Sequence, residues 1–346
     1  MEGEQASGEF EAFSFTGRGG EYFRIWIVNL LLSICTLGIY SAWAKVRREQ
    51  YFHRNTLLAG SGFDYHGKPT AILKGRLVAV ALLILLGITE KVSPTLHTVL
   101  LLAAVPVVPW LIQRSLRFRT INTSYRGLRF RHRGTYKEAF VAHVVHGGLT
   151  MITAGLWMPV WMRAAKRFQL DKLSYGSVDF SCAPSTEGYY GAYFKAGLMI
   201  LGAVALAGIL AALAVPALGP DQRAAAPVFF ALIPLVFLAG YSLLARPYLQ
   251  VRLANLTWNA TAVGGRKFAS TQTLGSFLKI HAVNVVLTLL TLGLYWPWAK
   301  VREAAYRAAR TAVDAADLDA LIGHEAGQPS AVGEEIADVF DLDVAL

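Results

Sequence analysis

The sequence predicts a polytopic α-helical membrane protein: three repeated broken or re-entrant helices, two transmembrane helical hairpins, and short β-hairpins on the cytoplasmic side. Three observations carry that expectation. The 346 residues are 54% hydrophobic and only 16% charged, whereas soluble domains carry about a quarter charged residues. Several apolar runs, such as "FKAGLMILGAVALAGILAALAVPAL" from Phe194, match the ~20 residues a helix needs to cross ~30 Å of hydrocarbon. A soluble protein with a large buried core would not need so many runs of this length. Finally, one phrase is written three times, each time where an apolar helix meets positive charge: "CTLGIYSAWAKVR" from Cys35, "ITAGLWMPVWMRAAKR" from Ile152 and "LTLGLYWPWAKVR" from Leu290.

The repeats align on Thr36, Thr153 and Thr291, with Gly38, Gly155 and Gly293 two residues on. Pro159 and Pro297 follow in the second and third copies, and Ala42 holds that place in the first. Glycine and proline interrupt helices, so Gly38, Gly155, Pro159, Gly293 and Pro297 mark a helix elbow. Each elbow is expected to end one limb and begin a shorter return limb carrying Lys45, Arg47 and Arg48, then Arg163, Lys166 and Arg167, then Lys300 and Arg302. Basic stretches favour the cytoplasmic face. If all of them lie there, each repeat helix turns back within the membrane, and these cations face anionic lipid. The return limb is short and aromatic, so a single kinked span is the competing reading.

Between the apolar runs lie segments with period-two aromatics, such as Phe13/Phe15, Phe63/Tyr65 and Val178/Phe180. They read as short strands. Thr135 to Glu138 has the spacing of a capping box that opens a following helix. Strand edges left unpaired invite association, so pairing of these hairpins into a β layer is the economical arrangement. The organisation that follows is one integral membrane domain over 1–310. Its repeats span about 10–54, 122–172 and 255–310, its helical hairpins about 71–113 and 190–246, and an acidic tail covers 311–346. That tail holds nine acidic residues and no Lys or Arg, leaving the first 310 residues with 33 basic against 14 acidic groups. It reads as solvated, disordered chain with room for a protein partner. The basic body reads as a membrane face and not as a nucleic-acid site. "MEGEQASGEF" lacks the basic-then-apolar order of a signal peptide, so insertion is expected through the internal segments, with both termini cytoplasmic. Cys35 and Cys182 form no spacing motif.

Steps of three and four residues place Asn29, Ser33 and Thr36 on one helix face, with His143, His146, Thr150 and Thr153 in the second repeat and His281, Asn284, Thr288 and Thr291 in the third. Polar groups in membrane helices face protein or a water cavity. This stripe is therefore either interhelical glue or a candidate path or ligand site. No Cys or acidic residue joins the histidines, so no metal is expected, and no motif calls for a cofactor.

The phrases "FSFTGRGGEYFRIWIVNLLLSICTLGIYSAWAKVRREQYFHRNT" and "LTLGLYWPWAKVREAAYR" resemble the YjgN family of bacterial inner-membrane proteins, a domain of unknown function. The resemblance spans about Phe10 to Arg310, although the second copy lacks the Ala-Lys-Val-Arg run. It implies the bacterial inner membrane, multiply crossed, and brings no catalytic residues. Two functions are expected to compete. One is a transporter or channel-like protein using a polar path between repeat helices. The other is a non-transporting scaffold that binds anionic lipid or a protein through its basic face. An interfacial enzyme lacks a nucleophile or acid/base pair. The oligomeric state is not legible.

Overall fold

The computed structural model describes residues 10–217, 231 and 233–314. The joint of the second long hairpin and the acidic tail beyond Asp314 lie outside the described residues. Eleven short strands form one antiparallel sheet. They are β1 (Phe10–Ala12), β2 (Ser14–Phe15), β3 (Thr56–Leu58), β4 (Ser61–Tyr65), β5 (Thr123–Tyr125), β6 (Leu128–His132), β7 (Leu173–Tyr175), β8 (Val178–Cys182), β9 (Thr261–Val263), β10 (Arg266–Ser270) and β11 (Thr311–Asp314). Their order is β1-β11-β10-β9-β8-β7-β6-β5-β4-β3-β2. The two ends of that order, β1 and β2, are separated only by Phe13, whose N–H bonds Thr311 O at 2.9 Å. The sheet is thus nearly closed and barrel-like, and closure removes the open edges that short hairpins would leave.

This arrangement overturns the expected polytopic helical membrane fold with separate short hairpins. The strands are not local ornaments on a helical bundle. They form the ring that organises the whole chain, with partners such as Phe10 and Asp314 more than 300 residues apart in sequence. Among the described residues only two helices are long and apolar enough to cross a membrane, Pro69–Val92 and Thr186–Leu213, or three if the bent pair Pro94–Ala104 and Val107–Ile121 is one span. The described parts of the apolar runs are mostly helical, but hydropathy reports length and not what a helix end is tied to.

Tight turns join the strands at one rim, and helices leave from the other. At Arg126-Gly127, for example, φ is +45° and +85°, the left-handed pair that suits a two-residue hairpin turn. Five helical excursions connect successive hairpins. The first is α1 (Gly19–Cys35) and α2 (Ser41–Asn55); the second is α3 (Pro69–Val92), α4 (Pro94–Ala104) and α5 (Val107–Ile121). The third runs through α6 (Tyr136–Phe140), a π-helical turn at Val141–Val145, α7 (His146–Ile152) and α8 (Met158–Asp171). The fourth holds α9 (Thr186–Ala217), α10 (Ile233–Gly240), a second π turn at Tyr241–Ala245 and α11 (Arg246–Trp258). The fifth is α12 (Leu274–Leu290) and α13 (Trp296–Ala309). Each outgoing helix packs on the next incoming one, and α13 packs on α1, so the helices close around the same axis as the strands. The three Thr-x-Gly repeats and the two long hairpins are five versions of one unit.

The ring is filled by aromatic side chains. Phe13, Phe63, Phe130, Phe180 and Phe268, one from each unit, stand in an arc with successive centroids 6.3, 6.4, 6.4 and 6.1 Å apart. Phe63, Phe130, Phe180 and Phe268 are mid-strand, and the strand periodicity puts them on one face, with Phe13 joining them from the junction of β1 and β2. Tyr125 and Tyr175 are buried beside them, and their phenols donate to Leu58 O at 2.7 Å and Tyr125 O at 2.9 Å, which leaves no lone hydroxyl inside.

Candidate functional site

The three elbows share one construction. The hydroxyl of each threonine donates to the carbonyl four residues back, Thr36 to Leu32, Thr153 to Leu149 and Thr291 to Leu287, each at 2.7 Å. Its oxygen accepts the N–H four residues on, from Tyr40 at 2.9 Å, Trp157 at 3.1 Å and Tyr295 at 2.9 Å. One side chain therefore caps the end of one helix and the start of the next. Gly38, Gly155 and Gly293 take φ of +90°, +93° and +93°, where a side chain is strained. Pro159 and Pro297 sit in the first turn of the second limb, so they start that helix; threonine and glycine make the break.

The tips are apolar and open. Leu37 is 95% exposed, Met151 84% and Leu292 95%. Above them lies an aromatic layer, with Tyr40 stacked on Trp43 and Tyr295 on Trp298. Arg47 then covers Tyr40, Lys300 covers Trp296 and Arg302 covers Tyr295, each 5.7 Å from the ring centre. Arg48 and Arg167 are exposed beside them. Arg163 Nε donates to Pro184 O at 2.5 Å.

The polar stripe divides between packing and local bonds. Asn29, Thr150 and Asn284 are buried. Ser33 Oγ donates to Asn29 O at 2.6 Å and Thr150 Oγ1 to His146 O at 2.9 Å. Asn284 Nδ2 reaches across the hairpin to Ala299 O at 3.3 Å, and Trp157 Nε1 donates to His146 Nδ1 at 3.0 Å. His143, in the first π turn, bonds Ala139 O, and His281 bonds Ser242 O at 3.1 Å on the neighbouring unit. Thr288 lends its carbonyl to Gly293 N. The Oδ1 atoms of Asn29 and Asn284, at equivalent positions, are buried without a hydrogen-bond partner. Most of these bonds stay within one hairpin, and His281 links its stripe to the neighbouring unit. Among the described residues no group of three His, Cys, Asp or Glu side chains is placed to hold a metal ion.

Two kinds of cavity flank the hairpins. One, of about 390 Å³, opens beside the first elbow and is lined by Asn29, Ser33, Lys45, Arg48 and Arg76; Arg76 Nη1 donates to Ser41 Oγ. The others, of about 570 and 470 Å³, adjoin one another inside the helix ring just under the phenylalanine arc and share Gln169 and Trp258 as walls. Lys45 and Arg119 line the first of these, and Lys166, Arg246 and Arg307 the second. Of the expected lipid-facing cations, Lys166 lines the second of these, and Lys45 stands between the first of them and the elbow cavity and lines both. Arg119, Arg246 and Arg307 were not singled out from sequence. Their only signal is that each lies on a second limb, at a place fixed by contacts between units.

A nearly closed β ring carrying five helical excursions, two of them holding a helix long and apolar enough to cross a membrane, defines the class of protein. The chain belongs to the bacterial family described as a protein of unknown function, DUF898, whose model matches residues 10–339. It is similar to the inner membrane protein YjgN of Salmonella typhimurium, 25% identical over 362 positions that cover 89% of each chain. It is also similar to YjgN of Escherichia coli O157:H7, 32% identical over 120 positions, which are 34% of this chain and 30% of that relative. No solved structure matches.

Proposed function

We propose that this chain is an inner-membrane scaffold that holds its β ring against the cytoplasmic leaflet and binds anionic headgroups there. The carrying observation is the layering shared by the first and third elbows: an apolar tip, an aromatic layer, then cations over it. Lys45, Arg47 and Arg48 begin five residues into α2. At 1.5 Å per residue they stand roughly 6–10 Å from the turn, the depth to which interfacial helices sink. Aromatic residues and cations prefer that zone. The two long hairpins supply the anchor. The cavity beside the first elbow, with three cations and no lining carboxylate, suits a phosphodiester headgroup. The names of the YjgN relatives agree with the inner membrane.

A transporter along the stripes has less in its favour. Most stripe side chains are engaged within their own hairpins, and the aromatic arc fills the axis above. The test uses the protein in nanodiscs of phosphatidylglycerol or phosphatidylcholine. Phosphatidylglycerol is expected to raise the unfolding temperature of the wild type, and the doubly substituted Arg47→Gln/Arg302→Gln protein to lose at least half of that gain. A wild type indifferent to headgroup charge overturns the reading.

A further inference from the structure

We infer that the chamber beneath the phenylalanine arc is a binding site for a soluble, multiply charged phosphate-bearing anion, held by Arg119 and Lys166 with Lys45, Arg246 and Arg307 around them. The chamber lies inside the helix ring and meets the headgroup cavity at Lys45, which lines both; its argument stands on Arg119 and Lys166 and does not rest on the scaffold reading.

Each of the five units contributes one cation, from α2, α5, α8, α11 and α13. Among the described residues the only carboxylate that lines either cavity is Glu49, already paired with Arg48 at 2.7 Å. Among the described residues none of the five cations has a carboxylate at ion-pair distance. Lys166 Nζ finds only the amide oxygen of Gln169 at 3.4 Å, and Arg307 only Gln250 Oε1 at 3.4 Å. Gathering like charges in a partly desolvated space is unfavourable unless an opposite charge joins them. That strain is visible on the lysines. Burial, then Arg76 and Arg119, pull the Lys45 pKa down against the opposing pull of Glu49; burial and Arg119 do the same to Lys166. Yet Arg119, Lys166, Arg246 and Arg307 remain exposed to the cavity and are not packed away. Cations that stay accessible and lack a carboxylate partner around one partly open cavity, with Arg119 repelling both lysines, are arranged for an anion. Guanidinium forks suit phosphate oxygens, and Trp258 offers a flat apolar wall between the two halves.

The probe is inorganic pyrophosphate, titrated calorimetrically into the full chain in an uncharged detergent, with chloride as the reference salt. Saturable binding is expected, weakened at least tenfold in Arg119→Gln and, independently, in Lys166→Gln. Arg54→Gln, on the outer surface where Arg54 meets Asp64, is expected to bind as the wild type does. Absence of saturable binding at millimolar pyrophosphate overturns the proposal, as does binding unchanged in both chamber variants. A repeat in phosphatidylglycerol nanodiscs separates the sources. Unchanged binding supports a soluble anion, and binding abolished by the lipid assigns the chamber to a headgroup and overturns it.

Discussion

The Thr36 hydroxyl oxygen accepts the Tyr40 N–H at 2.9 Å while its proton goes to Leu32 O at 2.7 Å, so one side chain ties two helices that run in opposite senses. The same pair of bonds recurs at Thr153 and Thr291. Thr291→Val keeps the shape and loses both bonds. It is expected to cost about 1 kcal/mol, read as a lower unfolding temperature in detergent, whereas Thr291→Ser stays near wild type. Equal stability of the Val and Ser proteins would show that the hydroxyl does not hold the elbow.

Gly293 extends the same argument to the backbone. Its φ of +93° makes Gly293→Ala destabilising by about 1 kcal/mol or more, although the added methyl meets open space. A neutral alanine in the same unfolding measurement would contradict the turn geometry.

Glu138 and Lys172 bring an acid-sensitive contact to the third unit. Glu138 closes the capping box with Thr135, and Lys172 Nζ lies 2.7 Å from its Oε1. The Lys172 hydrogen bond, then the Thr135 N–H, lower the Glu138 pKa from 4.5 to about 2. A carboxyl with a depressed folded pKa stabilises above its unfolded pKa and loses that contribution as pH falls through the folded value. The stability difference between wild type and Glu138→Gln is therefore expected to be full above about pH 5, and to shrink toward pH 2. Both side chains keep more than a third of their surface in water, so screening makes the difference modest. A difference constant from pH 6 to pH 2.5 would exclude the pair as its source.

Phe130 sits mid-arc, 6.4 Å from both Phe63 and Phe180. Phe130→Ala is expected to cost about 2–3 kcal/mol, the low end for a phenylalanine because the ring is half-buried. Phe130→Leu recovers at least half. Thermal unfolding checks both; an alanine variant as stable as wild type would mean the arc does not hold the ring together.

The elbows were legible because their determinants are local: Thr36, Gly38 and the residues they bond lie within nine positions, and the phrase is repeated. The short strands were legible from the alternation around Phe63 and Phe180, and their pairing into a layer from the cost of open edges. Closure of that layer into a ring was not, because it depends on β1 meeting β11 across nearly the whole chain, and no local pattern encodes such a contact. The polar stripe illustrates the complementary failure. Periodicity put Asn29, Asn284 and His146 on equivalent faces, but it could not tell that Trp157 takes His146 while Asn284 reaches for Ala299. The place of Lys45 and Lys166 on cavities shared between units was hidden for the same reason: a basic residue looks alike in sequence whatever it lines.

The most direct test of the account is the depth of the elbow tips. Spin labels at Leu37→Cys, Met151→Cys and Leu292→Cys would be placed singly in a Cys35→Ser background, reconstituted in nanodiscs. Cys182 can stay, since it is 1% exposed and burial pushes its thiol pKa up. All three tips are expected to be accessible to oxygen and shielded from a water-soluble nickel chelate, and a label at Ser177→Cys on the far rim to show the reverse. Tips as open to nickel as Ser177 would place the elbows in water and contradict the membrane-docked ring.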